Sequence, residues 1–346
     1  MSRLLRERKI ESTAPAMLRI EYGPGEAAQD DSAAAVLLEI QYGQSSTPSS
    51  PSTLVAQVPL RALDSTTVER WIVDGDVERE RVDEFELATN ETLLAGYALA
   101  PGEEVEHETR AVYVRMLRIV AEHGFQLLRV WNVVPHLHLR SGGLDRYMRF
   151  CRGRAEAFET SWGPRFAKRL CAFSAVGSEE GPQVLYFLAG REEGTPRENP
   201  RQIPAWTYPA RYGPRSPCFA RGLRAPDALA GMVFVSGTAS IVGHESRHME
   251  DCAAQTRETM RNVRALLYGA DDGGSALEAG QFAPVKVYLR RALDRAPVAG
   301  ILESALGPRT PILYLQADLC RPELLVEIEG LGRDLVRPSP PPRDAR

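Results

Sequence analysis

An order of hydrophobic periods that occurs twice constrains this chain more than any motif in it. In the second half, Met232 to Ile241 is rich in strand formers. Met249 to Tyr268 follows, carrying Thr256, Met260, Val263 and Leu267 at the three- and four-residue steps of a helix. Val285, Val287 and Leu289 then alternate as a strand. Asp294, Pro297 and Gly307 supply an N-cap, a first-turn proline and a stop for a second helix. Ile312 to Ala317 and Leu324 to Glu329 close the half as two strands. The first half repeats this order. A strand at Thr92 to Ala100 precedes a helix at about Glu104 to His123, striped by Val105, Val112, Met116 and Ile119. Next come a strand at Gln126 to Val133, a helix at Gly142 to Thr160, and strands at Leu170 to Val176 and Val184 to Ala189. Both halves read β-α-β-α-β-β, which predicts an α+β protein with helices packed on one face of each sheet. The residues before Thr92 read as added β-hairpins on the first unit.

The 346 residues suffice for two such units, each with its own core. The expected division is a flexible N-terminus over 1–16, a first unit over 17–200, a second over 201–335 and a disordered proline-rich tail over 336–346. The stretch 44–53 reads as a solvated loop. With 42 basic against 46 acidic side chains, the chain lacks the bulk charge that nucleic acid or an anionic membrane would call for. It has no apolar run of the length that spans a bilayer, and Met1 to Met17 has no apolar stretch of the secretory kind. Five widely spaced cysteines without a Cys-x-x-Cys pair read as reduced thiols of a cytoplasmic protein, not as a disulfide frame or zinc knuckle. Only Lys9, Lys168 and Lys286 are lysines; every other basic residue is arginine. A GC-rich genome would produce that bias, and so would a site that needs planar forks for carboxylates.

Five constellations could carry chemistry. His244-Glu245-Ser246-Arg247-His248 matches H-E-x-x-H, but the zincin mechanism needs both histidines on one helical face, and here the helix begins near Met249 or Asp251. Both this segment and His136-x-His138 read as structural histidines, with no metal. Between the halves, Tyr208, Arg211, Tyr212, Arg215 and Arg221 stand among prolines. Such a stiff cationic loop suits a small dianion, and a linker with solvated charges is the competing reading. In Leu324 to Glu329, period-two alternation puts Leu324, Val326 and Ile328 on the core face and Leu325, Glu327 and Glu329 on the other. That second face is either the wet side of the sheet or a cleft in which one glutamate becomes an acid. Ser236-Gly237-Thr238-Ala239-Ser240 would let a ligand approach free backbone amides.

Taken together, several segments resemble the chorismatase family. They are Trp131 to His136, Gly143 to Tyr147, Gly153 to Ala155 with Phe158, Tyr212 to Pro217, Phe234 to Glu245 and Leu325 to Glu329. The resemblance runs from about Gln126 to Gly330. It implies two RidA-like (chorismate-mutase-like) βαβαββ units and an enzyme that releases pyruvate from chorismate without a cofactor, as a monomer or a homo-oligomer such as a trimer. By similarity, Glu327 matches the proton donor. Ala239 and Gln316 match pocket positions that separate product classes, and Ala239 is similar to the hydrolysing members. Tyr208, Arg211 and Arg215 fall in the substrate-binding loop; Arg146, Arg149 and Arg154 fall in the other motif block. The products implied are a dihydroxycyclohexadiene carboxylate or 3- or 4-hydroxybenzoate. Three other functions compete: an imine deaminase on the same fold, a non-catalytic small-molecule binder and a zinc hydrolase. The deaminases carry an arginine opening the penultimate strand, where this chain has Ile312.

Overall fold

The computed structural model of the chain describes residues 18–24, 34–43, 53–270 and 276–336. The expected flexible N-terminus over 1–16 lies outside the described residues, as do 44–52 of the expected loop and 337–346 of the tail.

Both expected units are present. The first runs through strand Leu93–Ala100, helix α1 (Val105–Glu122), strand Gln126–Pro135, helix α2 (Arg146–Trp162) and strands Ala172–Ser178 and Gln183–Gly190. The second runs through strand Val233–Ala239, helix α3 (Cys252–Tyr268), strand Phe282–Leu289, helix α4 (Arg295–Leu306) and strands Ile312–Gln316 and Val326–Gly332. In each, the second and third strands pair in parallel and the fourth inserts antiparallel between the first and second. A parallel pair needs a crossover connection, which α2 and α4 supply. The shared strand order makes the duplication structural. Asp145 caps α2 by accepting from Met148 N at 2.8 Å, and Asp251 caps α3 by accepting from Ala254 N at 2.9 Å. Asp294 departs from its expected role: it stands at the start of α4, but its carboxylate takes the Arg291 guanidinium at 2.7 and 3.1 Å and caps nothing.

The N-terminal strands are more than hairpins on the first unit. Arg19–Gly23, Val68–Asp74, Ala34–Tyr42 and Val55–Val58 form a separate four-stranded sheet. Arg61–Ala62 pairs with the edge strand Ile312–Gln316 of the second sheet, while Glu78–Val82 and Phe85–Thr89 extend the first. At the other edge Thr195–Arg197 already joins the second sheet, ahead of the division expected at 201.

The sheet of each βαβαββ unit carries its helices on one face. The helix-free faces pack against each other: Phe173 N donates to Ser236 Oγ at 3.0 Å, and Gly177 and Asp318 exchange backbone bonds at 2.7 and 3.0 Å. The sense of the Val326–Gly332 strand follows. Val326 and Ile328 belong to the core under α3 and α4. Glu327 and Glu329 point into the gap between the sheets, where they are 4% and 3% exposed. The expected wet face is therefore dry, because single-layered sheets bury their second faces by facing each other. Leu324 and Leu325 are buried but precede the strand, which opens at Val326.

Candidate active site

A pocket of about 270 Å³ opens between the units and has Glu327 on its wall. The segment from Gln202 to Arg221 forms one side and the loop Cys320 to Glu323 the other, with Gly237 and Ala239 of strand Val233–Ala239 between them.

The two carboxylates on this strand face are electrostatic opposites. Glu329 Oε2 accepts from Arg129 Nη2 at 2.8 Å and from the Ser174 hydroxyl; its Oε1 accepts from Trp131 Nε1 at 2.6 Å and lies 3.3 Å from Lys286 Nζ. Burial alone would raise its pKa. The Lys286 and Arg129 charges, with the Ser174 and Trp131 hydrogen bonds, outweigh burial and hold Glu329 below the usual carboxylate range. Glu327 lacks such a set. Burial first, and the Glu329 charge second, push its pKa up to about 8 against the opposing pull of Arg129. A neutral carboxylic acid thus faces the pocket beside a permanent carboxylate, the arrangement in which acid and base roles separate. Cys320 in the loop opposite also stays neutral, its thiol raised to about 12 by burial and then by Glu327.

Room for the acid comes from a glycine. A Cβ on Gly237 would fall 2.1 Å from Glu327 Oε1 and 3.0 Å from Ser174 Oγ. The expected free amide is absent, since Gly237 N donates to Ser174 Oγ at 2.9 Å. Gly237→Ala is expected to fold and, if Glu327 takes part in catalysis, to lose on the order of 10²-fold in kcat, the cost of displacing a reacting group by about an ångström. Circular dichroism with steady-state turnover checks this; a variant with wild-type kcat would refute the steric assignment.

Two buried arginines supply the positive wall. Arg221 Nη2 donates to Tyr208 Oη at 2.7 Å and to Ile203 O at 3.0 Å, but its Nε has no partner. Arg321 stacks 3.9 Å from the Tyr212 ring centroid and donates from Nη1 to Ser246 Oγ at 3.0 Å, but its Nη2 has no partner. A buried N–H without an acceptor costs about 1–3 kcal/mol, and both arginines that carry one here line the pocket. The Arg321 loop is pinned from behind by Arg290, which donates to Leu324 O at 2.8 Å, Arg321 O at 3.0 Å and Asp318 Oδ1 at 2.5 Å.

The structure divides the expected site residues. Glu327, Tyr208, Arg211 and Ala239 line the pocket, Arg211 at the exposed rim against Glu245 and His244. Arg215, Arg146, Arg154 and Gln316 do not. Arg215 pairs with Glu159 outside the pocket. Arg146 donates to Gly102 O in a surface hollow beside α1. Arg154 is fully buried over the Phe150 and Phe173 rings, 4.7 and 5.3 Å from their centroids. Gln316 ends its strand in a separate hollow of about 790 Å³ with Tyr42, Arg290 and Asp318. Arg321 was missed, although an arginine between Cys320 and Pro322 just ahead of the Glu327 strand is a readable signal. Arg221 stood only at the end of the arginine-tyrosine run. The linker reading fails, because Tyr208 and Arg221 are buried. His244 and His248 lie ahead of α3, which starts at Cys252, so the zincin geometry is absent. Among the described residues, no group of three or more His, Cys, Asp or Glu is placed to hold a metal ion.

A duplicated α+β unit, with a buried carboxyl of raised pKa and two buried arginines on the wall of one pocket, is the class of protein that the fold and site define. The family model of the chorismatase FkbO/Hyg5-like N-terminal domain matches residues 69–189. A 3-hydroxybenzoate synthase of Streptomyces hygroscopicus is 38% identical over 76% of this chain and 80% of its own length. A chorismatase of Streptomyces rapamycinicus is 34% identical over 78% and 83%. A crystal structure of a chorismatase superposes with a TM-score of 0.83 at 26% identity, covering 93% of this chain and all of that one. The chain belongs to the chorismatase family, and it is an enzyme.

Proposed function

We propose that this protein cleaves the enolpyruvyl ether of chorismate, with Glu327 as the proton donor and no cofactor, releasing pyruvate. The observation that carries this reading is the neutral Glu327 carboxyl set in a pocket with two unsatisfied buried guanidinium donors. Chorismate bears two carboxylates and a vinyl ether. Arg221 and Arg321 present N–H groups suited to the carboxylates, and Tyr208 and Tyr212 hold those guanidinium planes in place. Glu327 protonates the terminal methylene carbon, which leaves an oxocarbenium ion on the ether carbon. The resulting Glu327 carboxylate then stabilises that cation.

Two fates balance. Elimination with participation of the ring hydroxyl gives hydroxybenzoate and pyruvate with no net water. Addition of water to the cation gives a dihydroxycyclohexadiene carboxylate and pyruvate. The relative named for 3-hydroxybenzoate supports the first; Ala239 on the pocket wall supports the second. Ile312 at the start of the penultimate strand disfavours a deaminase. The test is incubation with chorismate, with pyruvate followed by a coupled dehydrogenase and the ring product identified by NMR. Pyruvate with 3-hydroxybenzoate is the expected result, the dihydrodiol in its place would establish the hydrolytic fate, and no pyruvate would overturn the assignment. The reading further supports a cytoplasmic protein with chorismate as its small dianionic partner, acting as a monomer or a homo-oligomer such as a trimer; gel filtration with light scattering distinguishes the last two.

A further inference from the structure

Lys286 is one of three lysines in a chain of arginines, and it is 1% exposed. Its Nζ lies 2.7 Å from Glu69 Oε2 and 3.3 Å from Glu329 Oε1, with the Tyr42, Trp131 and Tyr186 ring centroids at 5.6, 5.4 and 5.8 Å. Glu69 comes from the separate N-terminal sheet. Tyr42 Oη donates to its Oε2 and Trp71 Nε1 to its Oε1, both at 2.8 Å. We propose that the buried pair Lys286–Glu69 is a positioning pair for the reaction: it holds Glu329 as an anion and so keeps the mobile proton of the Glu327–Glu329 pair on Glu327. The proposal rests on the reading of Glu327 as proton donor.

A charge count supports it. Glu69 and Glu329 are two anions, Lys286 and Arg129 two cations, and the buried set is neutral only while Glu327 keeps its proton. The other titratable or charged groups facing Lys286 are Tyr22, Tyr42, Tyr186 and Tyr288, all driven toward neutrality first by burial. Glu327 is met by Arg129 from the first sheet, by Glu329 on its own strand, and by Cys320, Arg321 and Glu323 of the adjoining loop. A lone buried lysine would shed its proton, and Glu69 prevents this. Without the pair, Glu329 keeps Arg129, Ser174 and Trp131 but loses one of its two cations, so its proton affinity rises toward that of Glu327 and the fraction carrying the proton on Glu329 is idle.

The test compares kcat against pH in the wild type, in Lys286→Met/Glu69→Gln, which removes both charges together, and in Glu329→Gln. The double variant is expected to lose about half of its plateau kcat, the loss when the proton divides evenly between the two carboxyls. Its alkaline limb should move to higher pH, because the cation 3.3 Å from Glu329 is gone while Arg129 remains, with chorismate affinity little changed. Glu329→Gln should move the limb the opposite way, since a neighbouring anion is gone. A folded double variant with the wild-type plateau and limb would overturn the proposal. Should the double variant fail to fold, Glu69→Gln alone, which keeps one acceptor oxygen for Trp71 and offers an N–H to the Tyr42 hydroxyl, lets the buried lysine shed its proton and should move the limb as the double variant does; an unmoved limb there overturns it equally. Full turnover in Glu327→Gln sinks the donor reading instead, and that failure shows on a different variant.

Discussion

Glu327→Gln is expected to abolish pyruvate release while leaving chorismate bound. Glutamine keeps the shape and hydrogen-bonding capacity of the acid but has no proton to deliver to carbon, so kcat should fall by about 10²–10⁴-fold, the typical worth of a general acid. Calorimetric Kd should stay within a few-fold, because the carboxylates are held elsewhere. Two further consequences follow from the pKa near 8. In the wild type kcat/KM should be full at neutral pH and fall as pH rises through about 8, where Glu327 ionises. Stability carries the same sign. A carboxyl whose folded pKa lies above its unfolded value of 4.5 is best tolerated below 4.5, and its contribution declines by about 1.4 kcal/mol per pH unit up to about 8. Glu327→Gln should therefore melt higher than the wild type at pH 8 and alike at pH 4. Retained turnover, or a variant less stable at pH 8, would contradict the assignment of a neutral buried acid.

Replacement of either buried arginine should produce the second large effect. Arg321→Met removes the unpartnered Nη2 donor together with the stack on Tyr212; Arg221→Met removes the unpartnered Nε and frees the Tyr208 hydroxyl. A hydrogen bond to a charged group is worth about 1.5–3 kcal/mol, so each variant should lose about 10–150-fold in kcat/KM, chiefly through KM. Arg215→Met serves as the control. Its guanidinium pairs with Glu159 at the surface, so kcat/KM should change less than about twofold, as for an exposed ion pair. Loss at Arg215 equal to that at Arg321 would move the anion site.

The comparison of expectation with structure turns on range. Helices α1 to α4 and the strands between them were legible because their signals are local, the apolar period and Gly307 as a stop; the one expected cap, Asp294, turns to Arg291 instead. Glu327 was legible through the motif around it, as were Tyr208 and Ala239. Arg154 and Gln316 were drawn into the site by their neighbours in sequence, yet the rotation of α2 sends one under the aromatic core and the end of a strand turns the other toward a different hollow. Arg321 and Arg221 carry no periodicity, and only their approach across the pocket reveals them.

The amino-acid order by itself determined two α+β units, the strand alternation that sets Glu327 and Glu329 on one face, and the family. Whether that face was wet or dry was decided by tertiary structure alone. Back-to-back packing of the bare sheet faces removes water from both carboxylates, and residues far away in the chain, Glu69 through Lys286 and then Arg129 and Trp131, ionise one of them and leave the other its proton. Desolvation and Coulomb energy depend on distances in space, which no local pattern encodes.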